Sequence, residues 1–260
     1  MSSQQIQGPQ GPLMAYRSGE GEGIPVVFLH ADAGRAAQWE EIMSHLAAHR
    51  AVASLDFRGH GSSAPARDGD YSYAARAADV AAMADALSLR RFVIVAHSGG
   101  SAVALEYAAA HPDRVAGILM VDPLTDPRAM PADARAKFVA DMAGPNNLDV
   151  LRGFYGGIVG PNETTKARVL ADVDRVAPSA RPGIARALAE WNPEPALGAF
   201  HGPMSILASP PNDNPAALYR LRADIPHRVV KDTGHWLQLD QPGIVENAIT
   251  EFLAPIDARR

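Results

Sequence analysis

The sequence predicts an α/β fold with a doubly wound, mostly parallel β-sheet. Short apolar runs alternate along the chain with segments whose apolar residues recur at helical spacing. Several of the apolar runs are continuous, as parallel strands buried on both faces require. The chain has 260 residues, 47% of them hydrophobic, which is enough to bury one large core. A single α/β core follows from these three observations.

The strands are expected to be short and to alternate with helices. They are predicted at 13–17, 26–30, 51–56, 92–96, 117–122, 204–208 and 227–231. The helices are predicted at 38–48, 74–87, 101–110 and 243–253. In open sheets of this kind, ligands bind outside the carboxyl ends of the strands.

The alternation stops after Asp122 and resumes at Met204. Residues 126–200 are helical in pattern and are predicted to form a cap inserted over the carboxyl edge of the sheet, while 13–125 and 201–260 form the α/β core. Residues 1–12 are rich in Gln, Gly and Pro and are predicted to be a disordered tail. With no basic start and no apolar run, this tail predicts neither a signal peptide nor a membrane anchor, and a cytoplasmic location is expected.

The composition excludes several classes of partner, metal site and nucleophile. The formal charge is −5 and the 24 Lys and Arg residues are scattered, so no basic stripe suits nucleic acid. The absence of cysteine excludes disulfides, thiolate metal sites and a cysteine nucleophile. Neither metal-ligand spacing nor a Gly-rich phosphate loop appears, so no metal and no cofactor are predicted. The expected partner is a small molecule, and the oligomeric state stays open between monomer and homodimer.

Ser98 lies in a segment typical of a nucleophile. Ala96-His97-Ser98-Gly99-Gly100 joins an apolar strand to a helix, and the positions two before and two after the serine are small, as a strained turn requires. Ala96 replaces the usual glycine but meets the steric condition. The N–H of Gly99, at the start of the helix, would point at an oxyanion. The alternative, a βα turn merely closed by Gly and Ser, is disfavoured by the strand–turn–helix context taken together with the partner residues described below.

Four segments together resemble the α/β-hydrolase superfamily, and the similarity extends over 13–253. They are FLHADAG at 28–34, DFRGHGSS at 56–63, the segment around Ser98, and GHW at 234–236. The resemblance implies a cofactor-independent serine hydrolase. It does not specify the substrate.

The resemblance also implies the base. His235 follows the strand at 227–231 and precedes the last helix, in the order Ser, acid, His of the superfamily. Its unperturbed pKa lies near neutrality, which suits a group that takes and returns a proton. His235 is therefore predicted to be the general base for Ser98.

The acid partner has two candidates. In the commonest arrangement of the superfamily it follows the strand at 204–208, where Asp213 stands, 22 residues before His235 rather than about 28. In other branches, haloalkane dehalogenases among them, it lies at the end of the preceding strand. Asp122 has that position, 24 residues beyond Ser98. A carboxylate in so apolar a run needs a partner that an imidazolium would provide, so Asp122 is preferred and Asp213 is the alternative.

By the same resemblance, the His30-Ala31-Asp32 loop completes an oxyanion hole. The N–H of Asp32, or alternatively that of Ala31, would join the N–H of Gly99. The carboxylate of Asp32 would disfavour anionic substrates if it faced the site. A side chain that points to solvent or pairs with Arg35 is the alternative.

Aromatic and histidine side chains near the site loops and in the cap are predicted to line the substrate pocket. They are His30, Trp39, His97, Phe154, Trp191 and Trp236. Core packing is the alternative for each aromatic, and holding the site loops is the alternative for His30 and His97.

The predicted reaction is two-step acyl transfer on a small, largely apolar carboxylic ester or lactone, through an acyl-enzyme on Ser98. Hydrolysis of a C–C bond in a diketone and perhydrolase chemistry are alternatives on the same three residues. A slow-turnover, ligand-binding signalling protein is an alternative from another class. A serine nucleophile disfavours the dehalogenase and epoxide hydrolase branches, which attack with aspartate.

Overall fold

The computed structural model describes residues 1–259, which form one eight-stranded sheet. The strands are β1 (Ser2–Gln7), β2 (Pro12–Ser18), β3 (Val26–Leu29), β4 (Val52–Leu55), β5 (Phe92–His97), β6 (Val115–Val121), β7 (Met204–Ala208) and β8 (His227–Val229). Their order is β1-β2-β4-β3-β5-β6-β7-β8. From β4 to β8 every pair of neighbouring strands is parallel. The β1–β2 and β2–β4 pairs are antiparallel. The predicted doubly wound α/β sheet is confirmed.

The helices cover both faces of the sheet. They are α1 (Glu40–Leu46), α2 (Tyr73–Ala86), α3 (Gly99–Ala110), α4 (Ala132–Ala143), α5 (Asn147–Ile158), α6 (Glu163–Val173), α7 (Arg181–Glu190), α8 (Pro193–Ala199), α9 (Leu218–Leu221), α10 (Leu237–Asp240) and α11 (Pro242–Asp257). One buried cluster packs α2, α3 and α8 on one face, and a second packs α1 and α11 on the other. No helix within residues 1–259 is long and apolar enough to cross a membrane.

The N-terminal segment differs from the prediction. Residues expected to be disordered form β1, which pairs antiparallel with β2 from Ser2 opposite Arg17 to Gln7 opposite Pro12. The Gly8–Gly11 turn reverses the chain, and Ile6 is buried against the core. Only one apolar residue of β1 faces inward, so the alternating pattern that marks a strand is absent. Backbone pairing with an existing sheet edge forms the strand instead.

Residues between β6 and β7 hold the five helices α4 to α8. A third cluster of buried side chains lies here, contributed mainly by α5, α6 and α7, and it also includes Ala33 and Trp236 from loops of the core. Polar contacts add to this attachment: Arg35 Nε and Gln38 Nε2 donate to the two carboxylate oxygens of Asp172, on α6, at 2.6 and 2.9 Å. These helices are thus packed against the loops at the carboxyl edge.

Candidate active site

Ser98 lies on a strained turn between β5 and α3. Its φ of 52° and ψ of −125° are unusual for a residue with a side chain, and such strain concentrates at functional sites. The turn lies close to the neighbouring strand, because a Cβ on Gly100 would lie 2.5 Å from the carbonyl oxygen of His30. The small residues recognised in the sequence are therefore needed for the close approach of these backbones.

Three of the predicted side chains form one hydrogen-bonded chain. His235 Nε2 lies 2.8 Å from Ser98 Oγ, and His235 Nδ1 lies 2.6 Å from Asp122 Oδ2. An ionised carboxylate only accepts, so Nδ1 carries the proton of the neutral ring and Nε2 accepts from the Ser98 hydroxyl. This arrangement prepares Ser98 Oγ to lose its proton to His235.

Asp122 is held by Ser209, which follows β7. The backbone N–H of Ser209 donates to Oδ1 at 2.5 Å and its hydroxyl donates to Oδ2 at 2.9 Å. Asp122 is fully buried and has a φ of 43°, another strained position for a non-glycine residue. With His235, three donors satisfy the buried carboxylate, which would otherwise be costly.

Asp213, the alternative acid, has other partners. Its Oδ1 accepts from the Tyr219 hydroxyl at 2.6 Å and from the Arg220 guanidinium at 3.2 Å, and its side chain is 39% exposed. The hydrogen bond from Tyr219, together with Arg220, lowers the pKa of Asp213. The structure thus brings Asp122, and not Asp213, to the His235 ring.

His97 supports the loop that carries His235. Its Nε2 donates to the His235 carbonyl oxygen at 2.8 Å, and its Nδ1 accepts from Gln238 Nε2 at 3.1 Å. Burial, and the neighbouring His235, lower the pKa of His97 well below its usual value. His97 therefore stays neutral, with its proton on Nε2.

The loop after β3 is ordered by two further histidines. His60 Nε2 accepts from the N–H of Ala33 at 3.1 Å, and His30 Nε2 accepts from the N–H of Phe57 at 3.0 Å. Because the N–H of Ala33 is engaged, Asp32 and Ala31 are the residues of this loop left as candidate oxyanion donors.

The Asp32 side chain neither reaches solvent nor pairs with Arg35. It is buried, where it pairs with Arg76 and accepts from the Tyr73 hydroxyl at 2.7 Å. Burial alone would raise the pKa of Asp32, but Arg76 and the hydrogen bonds outweigh it and lower the pKa. A Cβ on Gly99 would lie 2.2 Å from this carboxylate, so the pair packs directly behind the start of α3. Its charge is compensated by Arg76.

A cavity of about 400 Å³ opens onto Ser98 and His235. Its other walls come from segments after β6, β7 and β8 and from α5 and α7, and they are mostly apolar: Pro123, Leu124, Phe154, Ile158, Pro161, Leu188 and Pro211. A second pocket of about 120 Å³ adjoins it, and Phe154 and Leu188 line both spaces. Within residues 1–259, no group of three or more His, Asp or Glu side chains could hold a metal ion.

Of the six predicted pocket residues, Phe154 alone lines the cavity. Trp39 is buried under the sheet and donates to the Leu29 carbonyl at 3.1 Å. Trp191 donates to Glu106 at 3.1 Å and lines a different pocket with it. Trp236 packs behind the His235 ring at a centroid distance of 5.0 Å. His30, in the loop after β3, and His97, at the end of β5, are both fully buried. These five side chains were misassigned because proximity in sequence to a site loop does not determine which way a side chain faces.

Comparison with known proteins places this architecture in a family. A family model described as the alpha/beta hydrolase fold matches residues 24–167, more than half of the chain. The chain belongs to the α/β-hydrolase fold family. The match includes the strand and turn that carry Ser98 and the strand end that carries Asp122.

Relatives within the α/β-hydrolase family differ in their activities. A non-heme chloroperoxidase of Streptomyces lividans is 37% identical over 152 residues, covering 53% of this chain and 55% of that protein. A haloalkane dehalogenase of Agrobacterium fabrum is 31% identical over 116 residues, covering 45% and 38%. The matched region thus spans about half the length of the chloroperoxidase and less of the dehalogenase.

Similarity to solved structures covers nearly the whole chain. Est816, described as an N-acyl homoserine lactone degrading enzyme, has a TM-score of 0.79 and 26% identity, covering 96% of this chain and all of that one. A thermophilic esterase from Thermogutta terrifontis has a TM-score of 0.83 and 21% identity, covering 99% and 100%. At 21% identity the esterase shows the α/β-hydrolase fold alone.

Several residues that shape this α/β-hydrolase site were not found in the sequence. Ser209 stands directly after β7, where a strand-end polar residue at the carboxyl edge is a usable signal. Gln238 and Tyr155 lie on helices whose site-facing side is not marked by any motif. Gly234 is next to the predicted base, and a Cβ there would lie 1.8 Å from the Val159 carbonyl. Only the packing of α5 against the His235 loop reveals that requirement.

The buried histidines predict acid sensitivity of the α/β-hydrolase core. Burial, with nearby Arg76, lowers the pKa of His30 to about 4, and burial, with nearby His30 and Arg76, lowers the pKa of His60 to about 3. Unfolded histidine titrates near 6.5. Below that pH these histidines bind protons in the unfolded chain but not in the native state. The free energy of unfolding therefore falls as pH falls. Between pH 7.5 and 5 the loss is roughly 2 kcal/mol per histidine.

Urea unfolding at pH 7.5 and pH 5.0 measures this effect. We expect the lower pH to give the smaller free energy of unfolding, with an unchanged slope against urea. His45→Gln is the control variant, and its free energy of unfolding should fall between the two pH values as that of the wild type does. His45 is exposed, and Glu246 raises its pKa instead of lowering it. Depressed carboxyl pKa values, such as that of Asp32, act below about pH 4 and leave this window unaffected. Equal stability at the two pH values would contradict the prediction.

Proposed function

We propose that this protein is a serine hydrolase that cleaves a carboxylic ester or lactone bond in a small, largely apolar substrate. The observation that supports it best is the chain from Ser98 Oγ through the His235 ring to Asp122, with links of 2.8 and 2.6 Å, at the wall of an apolar cavity. Such a chain is the arrangement that nucleophilic catalysis by serine requires.

The first half-reaction acylates Ser98. His235 Nε2 takes the hydroxyl proton as Oγ attacks the carbonyl carbon, and the carbonyl oxygen becomes an oxyanion. The N–H of Gly99 and that of Asp32, or of Ala31, donate to this oxygen, and each such donor is typically worth a hundred- to thousandfold in rate. His235 then returns the proton to the leaving alkoxide as the C–O bond breaks. The alcohol departs and the acyl group stays on Ser98.

The second half-reaction regenerates the serine. A water molecule gives a proton to His235 Nε2 and attacks the acyl carbon. As the new oxyanion collapses, the bond between the acyl carbon and Ser98 Oγ breaks and His235 returns the proton to Oγ, which releases the acid and Ser98. Asp122 accepts from Nδ1 throughout, so it keeps the ring in the productive tautomer and stabilises the imidazolium. Ser209 and Gln238 act one step away, because they hold Asp122 and His97 in place.

The cavity supports an apolar substrate of limited size. Its volume of about 400 Å³ is within the usual range for a small-ligand site. The side pocket of about 120 Å³ is somewhat smaller than an apolar cavity of about 150 Å³ that binds benzene, so it suits a short alkyl segment. The similarity to Est816, a lactone-degrading enzyme, favours lactones among the substrates.

Phe154→Ala should lengthen the preferred acyl chain. Phe154 and Leu188 separate the main cavity from the side pocket, so removing the Phe154 ring should join the two spaces. We expect kcat/KM for p-nitrophenyl octanoate relative to the butyrate to rise roughly tenfold. Phe138→Ala is the matched control, since Phe138 lines the side pocket and not the main cavity. An equal change in both variants would contradict the role of Phe154 as the partition.

A panel of p-nitrophenyl esters and simple lactones, combined with a fluorophosphonate probe, tests the proposal. We expect turnover of short esters and labelling at Ser98 in the intact protein. Thermal stabilisation by esters without turnover or labelling would instead support the ligand-binding signalling alternative. Turnover of diketones in place of esters would support C–C bond hydrolysis.

Perhydrolase activity is a second candidate, favoured by the similarity to a chloroperoxidase that is named non-heme. Hydrogen peroxide would replace water in the second half-reaction, giving His235 its proton and attacking the acyl carbon through oxygen. The products would be a peracid and free Ser98, so the same residues serve both reactions. Peracid formation from an ester and peroxide, lost in Ser98→Ala, is the measurement that checks it.

A further inference from the structure

Tyr155 contributes a polar group to the cavity that the proposed reaction does not use. It lies on α5, is 2% exposed and lines the cavity beside Ser98 and His235. Its ring is held edge-on between Phe154 and Trp236, at centroid distances of 5.1 and 5.9 Å. The side chain is therefore fixed in position.

The Tyr155 hydroxyl has no hydrogen-bond partner among residues 1–259. The Tyr107 hydroxyl also lacks a partner and is sealed from solvent, whereas the Tyr155 hydroxyl is not sealed. Because the residue is buried on every side but the cavity, the oxygen faces the cavity. Of the other polar side chains in these walls, Ser209 is engaged with Asp122, Thr233 Oγ1 with the Val230 carbonyl and Asn212 Nδ2 with the Pro123 carbonyl. Thr125 also lines the cavity, but it is only half-buried, whereas Tyr155 is held in place by two aromatic rings.

The surroundings keep this phenol protonated. Burial, and the charge of nearby Asp32, raise the pKa of Tyr155 well above its usual value, although Arg76 opposes the effect. The group is thus an O–H donor at neutral pH. A buried donor without a partner is unfavourable, and a ligand oxygen would satisfy it.

We propose that the Tyr155 hydroxyl donates a hydrogen bond to a second oxygen of the substrate, apart from the scissile ester group. This inference rests on the proposed function and narrows its substrate class to esters or lactones that carry an additional carbonyl or hydroxyl oxygen on an otherwise apolar framework. The oxyanion is assigned to backbone N–H groups at the sheet edge, whereas Tyr155 lies on a cap helix with the apolar walls Phe154 and Ile158. Since those N–H groups already serve the oxyanion, the Tyr155 donor is left for a second oxygen of the substrate.

Tyr155→Phe tests the proposal with paired substrates. Methyl hexanoate and hexyl acetate are compared with their keto derivatives at each chain position, and hydrolysis is followed by proton release. We expect the wild type to favour at least one keto ester, and Tyr155→Phe to reduce that preference about 3- to 10-fold. Comparing ratios between the two proteins cancels the intrinsic reactivity of each ester. The thermal midpoint should be unchanged or higher, because the removed hydroxyl has no partner within the protein.

Tyr107→Phe is the matched control. It removes the same atom from a buried, partnerless tyrosine of α3 that packs against Phe92 in the core and does not line the cavity. We expect it to leave the keto preference at the wild-type value. A preference unchanged in Tyr155→Phe, or a uniform loss on keto and parent esters alike, would overturn the proposal.

Binding separates this inference from the proposed function. In a Ser98→Ala background, calorimetry compares methyl hexanoate with its keto derivatives, with and without Tyr155→Phe. A keto preference that depends on Tyr155 supports the proposal even if the wild type hydrolyses no ester, a result that would by itself defeat the proposed function. Equal binding of parent and keto esters would overturn the proposal whatever the hydrolysis assay shows.

Discussion

Replacing Ser98 with alanine is expected to lower ester hydrolysis by roughly 10⁴- to 10⁶-fold. Without Oγ, the His235 ring has no nucleophile to deprotonate at its 2.8 Å contact, and no acyl-enzyme can form. Only substrate binding and the oxyanion donors would remain, which leave a small residual rate over water. Hydrolysis of p-nitrophenyl butyrate, together with fluorophosphonate labelling and peptide mapping, measures the loss.

The control for Ser98 is a nearby serine in the first turn of α3. Ser101 is buried three residues further on, and its hydroxyl donates to the Ala96 carbonyl at 3.0 Å. Ser101→Ala should retain most of the activity and all of the labelling. Activity that survives in Ser98→Ala, or a probe attached to another residue, would defeat the assignment of the nucleophile.

The second large effect is expected at Asp122. Asp122→Asn should lower kcat about 10⁴-fold, because an amide facing His235 Nδ1 favours the wrong tautomer and no longer stabilises the imidazolium. The 2.6 Å contact and the full burial of Asp122 make the ring depend on this one carboxylate. The rate is measured under saturating ester, with urea unfolding to confirm that the variant is folded.

Asp213→Asn is the matched comparison, since the sequence offers both aspartates. Its carboxylate is engaged by Tyr219 and Arg220 and is partly exposed, so we expect a rate close to that of the wild type. A larger loss in Asp213→Asn than in Asp122→Asn would show that the acid had been assigned to the wrong strand end.

Much of the fold was predictable because its signals are local. Continuous apolar runs marked β3, β5, β6 and β7, since strands covered on both faces have no polar side. The β1 strand was not predicted, because only Ile6 is buried there and pairing with β2 is a long-range backbone interaction. In the same way, α9 and α10 have four residues each, too few for helical periodicity to appear.

The candidate site divides in the same way. Ser98 and His235 could be found from short motifs, because a tight turn with small neighbours leaves a local pattern. The pocket could not, because the facing of an aromatic side chain depends on the element packed against it, so that Trp39 and Trp191 turn away from the cavity. The choice between the two aspartates was likewise left open by spacing.

The amino-acid sequence by itself determined the α/β sheet, the tight turn around Ser98 and the loop position of His235, since each is encoded by neighbouring residues. The tertiary structure alone decided that Asp122 meets the His235 ring, that Ser209 holds Asp122, and that Tyr155 turns its hydroxyl to the cavity. These contacts join segments far apart in the chain, and their geometry follows from how the sheet, helices α4 to α8 and the loops pack together.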